Sequence, residues 1–263
     1  MRFKLTLQRI ENNVLPINYQ YELSSWIYKI INFSNKKFTN FLQLKGYANS
    51  TNGYDLFTFS RLNFPANQFK IEKDRLIVNS EQFELKLSLI MSEAVEPFII
   101  DLFQKQQFIL GDKKSKVKVE VKSIERQPDP KWKETMNFIT HSPIMVSKEE
   151  IKNNVTSIKF LNPNDEDYEN LFFQNLLDKY ITIIQYNNDF NNSFKQEAET
   201  KLKLLNKPKA KLVKINADTP EQTFTKGYDF NFKLTAPIEL IKAGYYAGFG
   251  EKNSLGFGCG EAK

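Results

Sequence analysis

The stretch 244–260 reads GYYAGFGEKNSLGFGCG and holds six of the ten glycines in the chain. Glycine tolerates positive φ and lets a backbone approach a ligand closely. Successive free N–H groups then form a concavity that binds anions. The glycines pair as Gly248-Phe-Gly250, five residues, then Gly256-Phe-Gly258, and between them Lys252, Asn253 and Ser254 add one charge and two neutral hydrogen-bonding groups. Such a loop can hold a phosphate backbone without reading bases. It fits neither common phosphate motif: GxGxxG requires glycine where Asn253 stands, and no Gly-Lys-Ser/Thr follows a four-residue gap. The same composition also suits a tight turn that lets two strands pack closely, so both readings stay open here.

Other reactive groups are scarce. The 263 residues include one Cys and one His, His141. One Cys excludes a disulfide framework and a multi-cysteine zinc site. One imidazole excludes a His-rich metal centre and any mechanism that needs two imidazoles in one chain. Neither a metal ligand set nor a cofactor motif is expected. The 37 Lys+Arg exceed the 31 Asp+Glu, and the net charge of +6 permits a nucleic-acid partner without requiring one. Lys201, Lys203, Lys207, Lys209, Lys211 and Lys214 occur with no acid between them. A run of this kind is a solvated face by default; if it binds phosphates, binding falls steeply with salt. No apolar run approaches the ~18 residues of a membrane span. The opening MRFKLTLQRIENN alternates instead of forming an apolar signal core, which points to a cytoplasmic protein.

These residues need elements to position them. Phe3, Leu5 and Leu7 alternate with polar residues, as in a half-buried strand. Leu23, Trp26, Ile27, Ile30 and Ile31 mark a helix over about 19–32, and Phe38, Phe41 and Leu42 mark a short one over about 35–45. Residues 56–59 read as a strand, 69–71 and 76–78 as a hairpin, and 83–89 and 117–121 as alternating strands. Ser92 caps a helix carrying Phe98, Ile99 and Phe103. Two prolines in Arg126-Gln-Pro-Asp-Pro130 suggest a linker. Beyond it, 144–146, 155–161, 211–215 and 223–234 read as strands, 165–186 as a helix, and 237–244 as a helix opening at proline. The class is α+β. Two tandem ferredoxin-like (βαββαβ) domains are the simplest arrangement, at 1–127 and 136–263 with a linker at 128–135.

GFGEKNSLGFG resembles the glycine-rich loop of the CRISPR-associated repeat-processing endoribonucleases of the RAMP superfamily. The resemblance extends through MRFKLTL, YELSSWIYKII, FLQLKGY, LFTFSRL, the Ser142-Pro143-Ile144 element and Asn175-Leu176-Leu177 with Lys179-Tyr180. It implies a protein that binds the repeat of a CRISPR precursor transcript. Cleavage there needs no metal: the ribose 2′-OH attacks the neighbouring phosphate, giving 2′,3′-cyclic phosphate and 5′-OH ends. It also implies RNA contacts at Gly248, Gly250, Lys252, Asn253, Ser254, Gly256 and Gly258.

Many family members carry a Tyr, a His and a Lys in the first domain. The tyrosine matches Tyr28, which lies about 130° from the centre of its helix's apolar stripe and is expected to face away from that core, taking ~100° per residue. The histidine position holds Gln43, whose amide cannot exchange a proton at neutral pH. The lysine position holds Asp55, which has the wrong sign to stabilise a phosphorane. Lys45 is the candidate substitute cation, with Lys36, Lys37 and Tyr47 nearby. His141 reads as a strand-end or interface histidine. A repeat-binding module that does not cut, a homodimer, and a subunit of a CRISPR effector complex all stay open.

Overall fold

The computed structural model describes residues 1–33, 56–91, 96–152, 155–186, 199–215 and 222–263. The helix expected over 35–45, the Ser92 cap, Gln43, Lys45 and Asp55 lie outside the described residues.

The first half runs β1 (Arg2–Glu11), β2 (Val14–Pro16), α1 (Gln20–Phe33), β3 (Phe57–Phe59), β4 (Phe69–Glu72), β5 (Arg75–Val78), β6 (Gln82–Leu89), α2 (Glu96–Phe103), β7 (Gln107–Gly111) and β8 (Lys116–Arg126). The second runs β9 (Thr135–Thr140), β10 (Ser147–Lys152), β11 (Val155–Phe160), α3 (Tyr168–Tyr186), β12 (Lys201–Leu204), β13 (Lys209–Ile215), β14 (Thr223–Asp229), β15 (Asn231–Thr235), α4 (Ile238–Ala247) and β16 (Gly260–Ala262).

The first main sheet has the order β3-β6-β1-β8-β7, and the second β12-β15-β9-β16. All of these pairs are antiparallel. Without the edge strand β7, each sheet shows one order: second, third, first and fourth strand of a βαββαβ unit. The fold is α+β with two ferredoxin-like units in tandem.

Alternation decides which face each sheet buries. Phe3, Leu5 and Leu7 are fully buried, with Leu23, Ile27 and Ile31 of α1 in the same cluster. Trp26 stacks on Phe108 of β7, with ring centroids 3.9 Å apart. The second core is aromatic: Phe138, Phe172, Phe232 and Phe249 bring strands, helix and glycine loop together.

Two sequence expectations are corrected. Residues 144–146 are not a ladder strand; Ile144 makes one isolated bridge to Tyr228 beside Pro143. The strand opening the second sheet is β9, where buried Met136 and Phe138 alternate with exposed Asn137. The run 223–234 is two strands, broken at Phe230: β14 pairs with β13, while β15 joins the main sheet. Unbroken apolar alternation hides a change of partner, because period 2 continues across it.

Residues 127–134 hold no helix or strand but lie against α4. The Tyr246 hydroxyl donates to Asp129 Oδ1 at 2.6 Å. Trp132 meets Tyr245 and Tyr246 edge-on.

Candidate functional site

The glycine loop begins where α4 ends at Ala247. Phe249 is fully buried and stacks on Phe172. Its N–H donates to the Gly258 carbonyl at 2.9 Å, which closes the loop. The Gly258 N–H donates to the Pro143 carbonyl at 2.8 Å, and the Cys259 N–H to Ser142 Oγ at 2.9 Å. The Ser-Pro-Ile element is thus the wall on which the loop returns. At Gly258 φ is +77°, and a Cβ would lie 2.0 Å from the Phe249 carbonyl oxygen, so only glycine fits. At Gly256 a Cβ would stand 2.8 Å from the Phe59 ring and 3.4 Å from Gln20 Cγ. At Gly256 the loop therefore presses on the first half of the molecule.

Two buried side chains hold the loop from within. Asn253 Nδ2 donates to the carbonyls of Phe249 (3.2 Å) and Phe257 (3.0 Å). Lys179, fully enclosed on α3, donates from Nζ to the Gly248 carbonyl at 2.6 Å and also to that of Gly250. Burial pulls the Lys179 ammonium down to about 7, against the opposing pull of the Glu251 carboxylate. Glu251 itself accepts from the Ser147 N–H and hydroxyl. Of the polar residues at the loop tip, Lys252 reaches solvent, while Asn253 and Ser254 are buried.

Below the loop the two halves are joined by polar contacts. Thr58 Oγ1 donates to the Phe257 carbonyl at 2.8 Å. Arg2 donates from Nε to Ser88 Oγ and from Nη2 to the Tyr245 carbonyl, with its guanidinium 3.7 Å from the Tyr245 ring centroid. Tyr245 is buried beneath this cation. His141 Nε2 and Lys86 Nζ both meet Glu261 Oε2, and the two nitrogens lie 3.4 Å apart. His141 thus sits at the junction of the halves. The His141 hydrogen bond and the Lys86 ammonium hold the Glu261 carboxyl down at about 2. Arg61 Nη1 pairs with Asp229 Oδ2 at 2.7 Å.

Tyr28 does not face away from the core as its wheel position suggests. Its half-buried ring packs edge-on against Phe57, with centroids 5.1 Å apart. The strand β3 runs along that flank of α1 and widens the buried face beyond the stripe. Lys45 and Gln43, with Lys36, Lys37 and Tyr47, are outside the described residues. The lysine run divides between β12 and β13 with Lys207 between them, and Lys201, Lys203, Lys207, Lys209 and Lys211 are exposed.

Comparison with known proteins decides the family. The model described as CRISPR associated protein Cas6, C-terminal, matches residues 125–262. The one described as CRISPR-associated protein Cas6, N-terminal, matches residues 14–122. The chain belongs to the Cas6 family. A CRISPR-associated endoribonuclease Cas6 1 of Methanocaldococcus jannaschii is 30% identical over 259 residues, covering 98% of this chain and 91% of that protein. A CRISPR-associated endoribonuclease Cas6 of Pyrococcus furiosus is 27% identical over 244 residues, covering 93% and 82%. A solved structure described as CRISPR associated protein Cas6 superposes with a TM-score of 0.75 at 27% identity, covering 100% of this chain and 99% of that one. Another, described as "An RAMP protein binding different RNA substrates", shares the fold with a TM-score of 0.78 at 22% identity, covering 100% and 99%.

Seen as a Cas6 chain, the Asn175–Tyr180 stretch of α3 has a structural meaning that sequence reasoning missed. Lys179 lies within the buried stripe Phe172, Leu176, Tyr180 and Ile183. A lysine inside an apolar helical stripe was the available signal, because lysine is almost never fully buried without a partner. Arg2 gave no such signal, since its alternation places it with the half-buried Lys4.

Proposed function

We propose that this chain binds the repeat of a CRISPR precursor transcript and cleaves it without a metal. The full-length match to Cas6 endoribonucleases carries this reading. The strapped glycine loop supports it, because four glycines hold a solvent-facing Lys252 on a fixed backbone beside the junction of the halves.

In the reaction a base removes the proton from a ribose 2′-OH, whose oxygen attacks the adjacent phosphorus. The 5′-oxygen leaves with a proton from an acid, giving a 2′,3′-cyclic phosphate and a 5′-OH. Tyr28 and Lys45 are the residues proposed to act at the phosphate: the phenol as a proton donor and the ammonium as a counter-charge to the phosphorane. Lys252 is proposed to hold the RNA chain from the loop that Gly248, Gly250, Gly256 and Gly258 shape, with the buried Ser254 inside it. Asn253 serves this surface from inside, by keeping the loop in shape.

A second reading is a repeat-binding protein that does not cut. It is favoured by Gln43 at the family's histidine position and by a sole histidine engaged with Glu261 and Lys86. Incubation with end-labelled cognate repeat RNA in EDTA separates the two. The first reading expects a discrete product ending in a cyclic phosphate; retention of intact RNA at saturating protein would leave the second.

A further inference from the structure

A cleft of about 290 Å³ opens beside the glycine loop. Its walls come from the entry to α1 (Ile17 and Gln20), the segment after β3 (Arg61 and Phe64), and the β4–β5 hairpin (Phe69 and Ile71). Three of these large apolar side chains remain open to water: Ile71 is 63% exposed, Phe69 40% and Ile17 38%. Apolar side chains gathered at one concave site, and not scattered, mark a binding surface. Phe64 is held against Phe83 at 5.0 Å and tilts toward Phe69 at 5.5 Å, so the aromatic wall is fixed before anything binds.

The polar groups of the cleft are few and placed to one side. Arg61 offers a planar guanidinium, 38% exposed and held at one nitrogen by Asp229. Gln20 lines the cleft wall, with its Oε1 shut from solvent and without a hydrogen-bond donor among the described residues. Apolar and aromatic walls with a planar cation suit the faces and polar edge of a flat heterocycle. The volume is that of a single ring system, too small for a length of chain. Continuity with the loop names the source of that heterocycle, since Gly256 rests against Gln20 and lies four residues from Lys252.

We infer that this cleft takes one unpaired nucleobase of the RNA whose backbone crosses the glycine loop. The inference rests on the RNA-binding reading above and adds a base-stacking site to it. The site supplies affinity that does not depend on salt, because stacking releases no counterions.

The test uses the full chain, a fluorescein-labelled single-stranded RNA decamer, and an abasic ribose-phosphate decamer of equal charge. Ile71→Ser and Phe69→Ala change exposed positions, and thermal melts verify their folding. Each is expected to weaken binding of the base-bearing decamer about tenfold, while the slope of log K against log salt and the affinity for the abasic decamer stay unchanged. Equal affinity of wild type and both variants for the base-bearing decamer would overturn the cleft's role and leave the phosphate reading standing. Loss of a dimer in sedimentation, with RNA affinity intact, would assign the cleft to a second copy and also overturn it. If wild type binds neither decamer, the RNA reading itself fails, and this site with it.

Discussion

Lys179 and Gly248 are 69 positions apart in the chain, yet the ammonium of one donates to the carbonyl of the other at 2.6 Å. The second donation, to Gly250, makes a buried helix residue the inner anchor of the loop. Lys179→Met is expected to leave two carbonyls without donors and to lower stability by about 3 kcal/mol. Denaturant titration checks the loss, and weaker RNA binding by the still-folded variant would show that loop shape matters to the surface.

The same residue sets a pH dependence. Its folded value, near 7, lies below the unfolded 10.5. Between these values the unfolded chain holds a proton that the folded chain has released, so stability rises with pH across that window. Below about pH 7 both states are protonated and the gain is absent. The difference between wild type and Lys179→Met, measured at pH 7 and pH 9.5, is expected to change in favour of wild type at the higher pH.

Glu261 acts at the other end of the scale. Its folded value of about 2 lies below the unfolded 4.5, so its contribution is present above 4.5 and is lost as pH falls toward 2. Glu261→Gln is expected to flatten that acid arm, read as melting temperature against pH, and to leave His141 and Lys86 without their shared partner.

Gly258→Ala tests whether the loop is built around its glycines. The new Cβ would meet the Phe249 carbonyl oxygen at 2.0 Å on a backbone of positive φ. A loss of about 3 kcal/mol or more is expected, from strain and displaced packing together. A melting temperature unchanged from wild type would mean that the loop does not close through Phe249 and Gly258.

Gln43→His tests the proposed chemistry. Restoring an imidazole at this position is expected to raise the cleavage rate of repeat RNA about 10²-fold, at the low end of what general acid–base catalysis supplies. Tyr28→Phe is expected to lower the wild-type rate while keeping the edge-on contact with Phe57. Single-turnover assays in EDTA read both.

Much of the fold was legible because alternation and helical stripes report burial directly: β1, α1 and α3 follow from Phe3-Leu5-Leu7, Leu23-Trp26-Ile27 and Phe172-Leu176-Tyr180. What alternation cannot carry is partner choice, which is why the exchange at Phe230 between two sheets was invisible. The glycine loop was legible as a loop, but its filling was not. Asn253 reads as a ligand group in a string of letters, and only the closure of Phe249 on Gly258 turns its amide inward. The contact between Arg2 and Tyr245 joins residues whose separation no local pattern spans.

That contact has a consequence for synthesis. Arg2 finds the Tyr245 carbonyl 243 positions later. At ribosomal speeds of ~5–20 residues per second, this partner emerges roughly 10–50 s after the arginine does. Through that interval the first sheet carries a guanidinium whose final hydrogen bond and aromatic cover do not yet exist. The nascent first unit therefore waits with its docking face open, and α4, which carries Tyr245, completes the seam between the two halves.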